Sequence, residues 1–212
     1  DRFGVVLFDN APYVAKGLRR VGDTDMEAIK RHILDLEPRG MTNMEAGLEA
    51  GRRLLDGVEG SDPEQVENRI IFLTDAMPNI GRADEGDLAA LAGQYARDRV
   101  HCTFLGMGID FQAELIDRIT KVRRANYYSV HSAWALKKRL DAEFDYMVTP
   151  WAFDLTLSLR ADGYRIDAVY GSPEADQATG ELMRVSTLFP APMNENAVKG
   201  GIILLKLLPG TD

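Results

Sequence analysis

The spacing of apolar residues along the chain changes character near residue 150. Before that point, short apolar runs typical of buried strands alternate with segments whose apolar residues recur at helical spacing. The predicted strands are Phe3–Phe8, Tyr13–Val21, Ile70–Asp75, Val100–Leu105 and Tyr127–Val130. The predicted helices are one capped by Asp25, then Asn43–Leu55, Asp87–Arg99, Glu114–Arg123 and Ala133–Met147. This alternation predicts an α/β fold, a doubly wound and mostly parallel sheet with helices on both faces.

After Pro150 the helical spacing stops and apolar residues alternate with polar ones, which is typical of half-exposed strands. Asp162 and Gly163 form a turn signal between two such strands, which predicts a hairpin. The predicted strands here are Phe153–Leu159, Tyr164–Tyr170, Leu182–Phe189 and Gly201–Leu208. We therefore expect two domains, an α/β domain over 1–149 and an incomplete antiparallel β module over 150–212.

The apolar strand that begins at Ile70 ends on a carboxylate, Asp75, and a Pro-Asn turn signal follows at Pro78. We expect this strand to be buried on both faces, since four consecutive apolar residues open it. The carboxyl ends of parallel strands are where open sheets bind ligands, so Asp75 is a candidate binding residue. The alternative is a local role, in which Asp75 closes an Asx turn that holds the next loop.

Thr42 is the second candidate, and it also has a local explanation. Thr42 is followed three residues later by Glu45, the pattern of a capping box, which predicts that Thr42 is the N-cap of the second helix. The two roles are compatible, because one hydroxyl can accept an amide hydrogen and also face a metal ion.

Composition excludes several classes of partner and chemistry. The formal net charge of −8 argues against a nucleic-acid or anionic-membrane partner. No apolar run approaches the roughly 20 residues that a membrane-spanning helix needs. The single cysteine, Cys102, rules out an internal disulfide, and its apolar surroundings predict a buried, inert thiol. No Ser/His/Asp or Cys/His spacing supports a nucleophile, and the cellular compartment stays open.

Two segments together resemble a known family. Gly40-Met41-Thr42-Asn43 opens a helix, and Leu73-Thr74-Asp75 ends an apolar strand about thirty residues later. This pair resembles the threonine and aspartate loops of the von Willebrand factor type A domain, over roughly residues 1–148. The resemblance implies that Thr42 and Asp75 belong to a metal-ion-dependent adhesion site. It further implies Mg²⁺ as the metal, a protein ligand that donates a carboxylate to it, and no catalysis.

The chain departs from the family pattern at one motif. The Asp-x-Ser-x-Ser sequence that supplies most of the metal ligands in the family is absent, and the segment from Asp9 has Ala11 and Tyr13 where hydroxyls are needed. We therefore expect a fragment that lacks the first strand and helix of the domain, and weak or no Mg²⁺ binding by the fragment alone. The slot left in the sheet is expected to hold a retained N-terminal peptide, a strand from a swapped dimer, or the chain's own Ile202–Leu208 segment.

Two other functions remain open from sequence. One is a scaffold subunit of a larger assembly, of the chelatase or AAA+-associated type, in which the site is vestigial or regulatory. The other is a small-molecule enzyme at the same edge of the sheet, which requires a second ionisable residue within hydrogen-bond reach of Asp75.

Overall fold

The computed structural model describes residues 1–37, 40–56, 66–75, 85–107, 113–191 and 201–210. By their internal contacts these residues divide into two units, Asp1–Leu136 and Lys137–Asp212. The boundary predicted at residue 149 therefore stays a prediction, and each unit is described by itself.

The first unit opens with two antiparallel strands and continues as helices that alternate with strands. In chain order the elements are β1 (Arg2–Phe8), β2 (Pro12–Arg20), a 3-10 helix (Val21–Asp23), α1 (Met26–Leu34), α2 (Met44–Leu55), β3 (Asn68–Thr74), α3 (Glu85–Arg97), β4 (Val100–Met107), α4 (Ala113–Lys121), β5 (Asn126–Val130) and α5 (Ala133–Asp141), which runs into the second unit. Asp25 caps α1 as predicted, and its carboxylate accepts the Ala28 N–H at 2.9 Å.

Strands β3, β4 and β5 form a parallel sheet in that order, so the predicted α/β class is confirmed. The central strand, β4, is buried along nearly its whole length. Strand β3 is less enclosed than expected, because Leu73 is 38% exposed. Burial of β3 on both faces is thus a wrong prediction, because Phe72 and Thr74 on one face are buried whereas Leu73, which points to the other face, is exposed.

The hydrophobic core of this unit lies between β4 and the helices that follow β3 and β4. Leu88 and Ala92 of α3 and Leu115 and Ile119 of α4 are almost completely buried. Burying a side chain as large as leucine stabilises a fold by about 1.5–3 kcal/mol. The helical spacing of these residues explains why the two helices lie on the sheet.

Strands β1 and β2 form a separate antiparallel pair, and among the described residues no hydrogen-bond ladder joins β1 to β3. Side chains nevertheless bridge the two sheets, because the rings of Phe8 and Phe72 stack with their centroids 5.0 Å apart. Helix α2 packs over both strands, touching Phe8 at Gly47 and Ile70 at Gly51. Within its described part, the first unit therefore has a break in backbone hydrogen bonding between β1 and β3.

The second unit contains the rest of α5, a short helix and four strands. These are α6 (Phe144–Val148), β6 (Ala152–Ser158), β7 (Tyr164–Tyr170), β8 (Glu181–Leu188) and β9 (Leu204–Pro209). The prediction of one helix over Ala133–Met147 is wrong, because the chain leaves helical geometry at Glu143, where φ is −116°. The buried carboxylate of Glu143 pairs with Arg139 at 2.5 Å and Lys138 at 3.4 Å, and these contacts hold the break.

The predicted hairpin of β6 with β7 is also wrong. Strand β6 pairs with β8 and strand β7 pairs with β9, both antiparallel. The turn at Gly163 does form, with φ of +76° and the Tyr164 N–H donating to the Ala161 carbonyl at 3.1 Å, but among the described strands no ladder joins β6 to β7. The Ile202–Leu208 segment contributes to β9, which pairs with β7, and among the described strands no ladder joins β9 to β1. None of the described helices is long and apolar enough to cross a lipid bilayer.

Candidate functional site

The carboxyl end of β1 lies near the amino terminus of α2. Gly4, early in β1, approaches Leu54 in the last turn of the helix so closely that a Cβ on Gly4 would lie 2.6 Å from the Leu54 side chain. Phe8, at the end of β1, lies against Gly47 in the first half of the helix. Strand and helix therefore run in opposite directions.

Strand β3 runs in the same direction as β1. Ile70, early in β3, lies 3.6 Å from the position of a Cβ on Gly51, and Phe72 further along stacks on Phe8. The carboxyl ends of β1 and β3 therefore both lie near the amino terminus of α2. Asp75, Thr42 and the turn after β1 thus lie at one end of this unit.

Thr42 lies directly before the N-cap of α2 and is half-buried. The N-cap is Asn43, whose Oδ1 accepts the Ala46 N–H at 3.0 Å, so the prediction that Thr42 caps the helix is wrong. Either side chain suits an N-cap chemically. The backbone N–H of Asn43 also donates to the carbonyl of Asp9, in the turn after β1, at 2.9 Å. This bond holds Asn43 in place as the residue before the helix, so α2 starts at Met44.

Asp75 is exposed and follows directly on Thr74, the last residue of β3. Its position at the carboxyl end of a parallel strand agrees with the sequence prediction. The Pro-Asn turn signal at Pro78, which follows Asp75 in the sequence, lies outside the described residues.

The donor types of these two residues fit a magnesium site in part. A hydroxyl and a carboxylate are hard oxygen ligands, and Mg²⁺ takes about six such oxygens, several of them from water. Across the described ranges, no group of three or more His, Cys, Asp and Glu side chains is placed to hold a metal ion. By donor type Thr42 and Asp75 can each supply one such oxygen, and metal binding by these two residues stays a prediction.

A polar cluster at the opposite end of the parallel sheet is buried and structural in character. The Arg69 guanidinium donates to Thr103 Oγ1 at 2.8 Å and to the carbonyl of Arg124 at 3.2 Å, and Arg69 lies opposite His101 in the sheet register. His101 is 6% exposed, and its Nδ1 has no hydrogen-bond partner among the described residues. Burial lowers the pKa of His101 to about 4, so the ring is neutral at pH 7.

The remaining thiol and imidazoles lie on separate elements. Cys102 is buried in β4, as predicted, and burial raises its pKa to about 12, which agrees with a thiol that stays protonated. His32 on α1 contacts the Tyr13 hydroxyl at 3.4 Å, and His131 contacts the Ser129 hydroxyl at 3.3 Å.

Sequence reasoning did not predict that the turn after β1 contacts the loop that carries Thr42. Asn10 Oδ1 accepts the Met41 N–H at 2.6 Å, so this turn holds the loop that carries Thr42. The available signal was the parallel direction of β1 and β3, which places their carboxyl-end turns side by side.

Known proteins share the fold and parts of the sequence. The family model of the von Willebrand factor type A domain matches residues 1–142. Inter-alpha-trypsin inhibitor heavy chain H1 from Sus scrofa is 25% identical over 166 residues, which are 76% of this chain and 18% of that protein. The chain therefore spans less than a fifth of the curated relatives that it matches.

Two solved structures illustrate the shared fold. A von Willebrand factor type A structure from Catenulispora acidiphila is 16% identical with a TM-score of 0.57, and the match covers 98% of this chain and 56% of that one. Proximal thread matrix protein 1 from the mussel byssus, with a zinc-occupied MIDAS motif, is 24% identical with a TM-score of 0.51. That match covers 68% of this chain and 35% of the other.

Proposed function

Because the chain belongs to the von Willebrand factor type A family, we propose that it binds a protein ligand through a metal-ion-dependent adhesion site, without catalysis. Such sites often mediate protein–protein interaction in this family. The proposal rests on one observation. Thr42, just before α2, and Asp75, just after β3, lie at the same end of the first unit, where β1 and β3 also end.

In the proposed site, Thr42 and Asp75 each contribute an oxygen to Mg²⁺, directly or through water. The metal supplies the positive charge that binds a carboxylate of the partner protein. The net charge of −8 is compatible with cation binding. A zinc-occupied MIDAS in the mussel protein supports a divalent cation in the fold, although its identity here is part of the proposal.

The remaining ligands are proposed to come from a strand that lies between β1 and β3. This position is supported by the break in hydrogen bonding there and by the carboxyl ends of β1 and β3, which flank it. The occupant expected to supply these ligands is a retained N-terminal peptide, whereas a strand from a second copy of the chain would fill the position without adding the absent Asp-x-Ser-x-Ser ligands. Light scattering combined with intact-mass spectrometry distinguishes them, because the swapped arrangement doubles the mass of the particle.

The metal site is tested by calorimetric titration of the full-length protein with Mg²⁺ and Mn²⁺. We expect Asp75→Asn and Thr42→Ala to weaken binding by about tenfold or more, since even changes outside the metal's ligands cost that much in metal sites. Asp98→Asn is the matched control, because Asp98 is an exposed carboxylate just before β4, at the opposite end of the sheet. Its affinity should equal that of the wild type.

Equal affinities for wild type and Asp75→Asn, or the absence of binding to the wild type, would contradict the proposal. Either result would favour the scaffold function with a vestigial site. Capture of a partner that survives chelation of divalent cations would then be the expected behaviour.

A further inference from the structure

The loop that carries Thr42 is held by the turn after β1. Asn10 Oδ1 accepts the Met41 N–H at 2.6 Å, and the Asp9 carbonyl accepts the Asn43 N–H at 2.9 Å. These bonds join segments more than thirty residues apart and anchor the residues on both sides of Thr42. The backbone of Thr42 therefore lies between two fixed points.

Gly40 allows the Asn10 side chain to approach the loop this closely. Its φ is +59°, in the left-handed region that glycine adopts at little cost. A Cβ at this position would lie 2.5 Å from Asn10 Oδ1, a distance that requires the side chain to move. The absence of a side chain at Gly40 therefore makes room for the Asn10 side chain, and the two residues pack directly together.

The β1–β2 turn does not need the Asn10 amide for its own shape. Asp9 closes the turn locally, with Oδ1 accepting the Ala11 N–H at 3.0 Å. Asn10 Oδ1 instead accepts a hydrogen bond from the backbone of Met41, in the loop that carries Thr42. A side chain that serves only its own turn would bond two residues on, as Asp9 does.

We propose that Asn10 is a positioning residue of the metal site: it fixes the Gly40–Asn43 loop so that Thr42 is presented to the ion. This role rests on the proposed function. Asn10 touches neither metal nor partner in this arrangement and acts through the Met41 amide. Residues that orient metal ligands from behind commonly change affinity by 10–100-fold when replaced.

The test compares three variants of the full-length protein by calorimetric titration with Mg²⁺ and Mn²⁺. Asn10→Ala removes the acceptor and is expected to weaken binding by about tenfold or more. Asn10→Asp keeps an oxygen for the Met41 N–H and is expected to bind at least as tightly as the wild type. Asp25→Ala is the matched control, because it removes one side-chain bond to a backbone amide, that of Ala28, from the cap of α1. Its metal affinity should be unchanged.

Amide hydrogen exchange separates positioning from a general loss of stability. Asn10→Ala should speed exchange at Met41, while the core amides of β4 keep their wild-type protection. If the wild type binds metal and Asn10→Ala binds it equally well, the role of Asn10 is overturned and the proposed function stands. If Asn10→Asp loses affinity as Asn10→Ala does, the acceptor bond is not the cause and the role is likewise overturned. If the wild type binds no metal, the proposed function fails and this role fails with it.

Discussion

At the scale of single residues, His101 makes the stability of the fold sensitive to acid. Its ring is buried, and burial is the main reason that its pKa falls from 6.5 to about 4. The cationic side chains of Arg69 and Arg124 act in the same direction, and Glu67 opposes them. Below pH 6.5 the imidazole of His101 therefore binds a proton in the unfolded chain while it stays neutral in the folded chain.

We expect the free energy of unfolding to fall as the pH is lowered from about 6.5 towards 4, with a contribution from His101 of up to about 1.4 kcal/mol per pH unit. Well above pH 6.5, where the imidazole is neutral in both the folded and the unfolded chain, His101 contributes no pH dependence. Urea unfolding of wild type and His101→Gln at several pH values measures the effect, and the variant should have a shallower slope in this window. His131→Gln, which changes an exposed imidazole, is the control and should keep the wild-type slope. Identical slopes for wild type and His101→Gln would refute the assignment.

At the scale of elements, α2 holds the two sheets of the first unit together through two glycines. Gly47 faces the ring of Phe8 and Gly51 faces Ile70, one turn further along the helix. The distances differ: a Cβ on Gly47 would lie 2.8 Å from the ring, whereas one on Gly51 would lie 3.6 Å from Ile70, an ordinary contact. The two positions therefore respond in opposite directions to the same substitution.

Gly47→Ala is expected to destabilise the protein by about 1–2 kcal/mol, because overpacking costs more than the gain in helix propensity. Gly51→Ala is expected to stabilise it by up to about 1 kcal/mol, since alanine favours the helix and fits the space. Thermal and urea unfolding of both variants measures the difference. Phe8→Leu in the Gly47→Ala background should recover part of the loss, because leucine leaves room for the added methyl group. Equal effects of the two alanines would show that the ring of Phe8 does not limit the packing.

At the scale of the whole molecule, the strands of the second unit pair across long stretches of chain. Strand β6 takes β8 as its partner, with Thr156 opposite Arg184, and the neighbour in sequence, β7, pairs with β9. Each ladder joins two strands with another strand between them in the sequence. Neither ladder can form its hydrogen bonds until the later of its two strands is available for pairing.

This pairing can be tested with engineered disulfides, because the chain has a single cysteine, which is buried. Thr156→Cys with Arg184→Cys should oxidise readily, since residues opposite each other in an antiparallel pair have Cα atoms about 4.5–5.5 Å apart, within disulfide range. Thr156→Cys with Val169→Cys places the cysteines as a β6–β7 hairpin would require, and should not cross-link. Mobility on a non-reducing gel reports both outcomes. Cross-linking of the second pair alone would establish the hairpin that the structure lacks.

Much of the fold follows from local patterns. Helical and alternating spacing depend on residues a few positions apart, so the strands of the parallel sheet and the Asp25 cap were predictable. Thr42 and Asp75 were likewise found from their types and from the elements beside them. Whether they bind metal stays a prediction.

Tertiary structure decided which groups meet. The pairing of β6 with β8, the choice of Asn43 rather than Thr42 as the N-cap, and the bond from Asn10 to Met41 each depend on segments that are far apart in the chain. A turn signal such as Asp162–Gly163 specifies that the chain reverses, but the burial and hydrogen bonding of the whole unit select the partner. The sequence alone therefore determined the elements and the candidate residues, while long-range packing determined their partners, because the free energy of pairing is not contained in any local stretch.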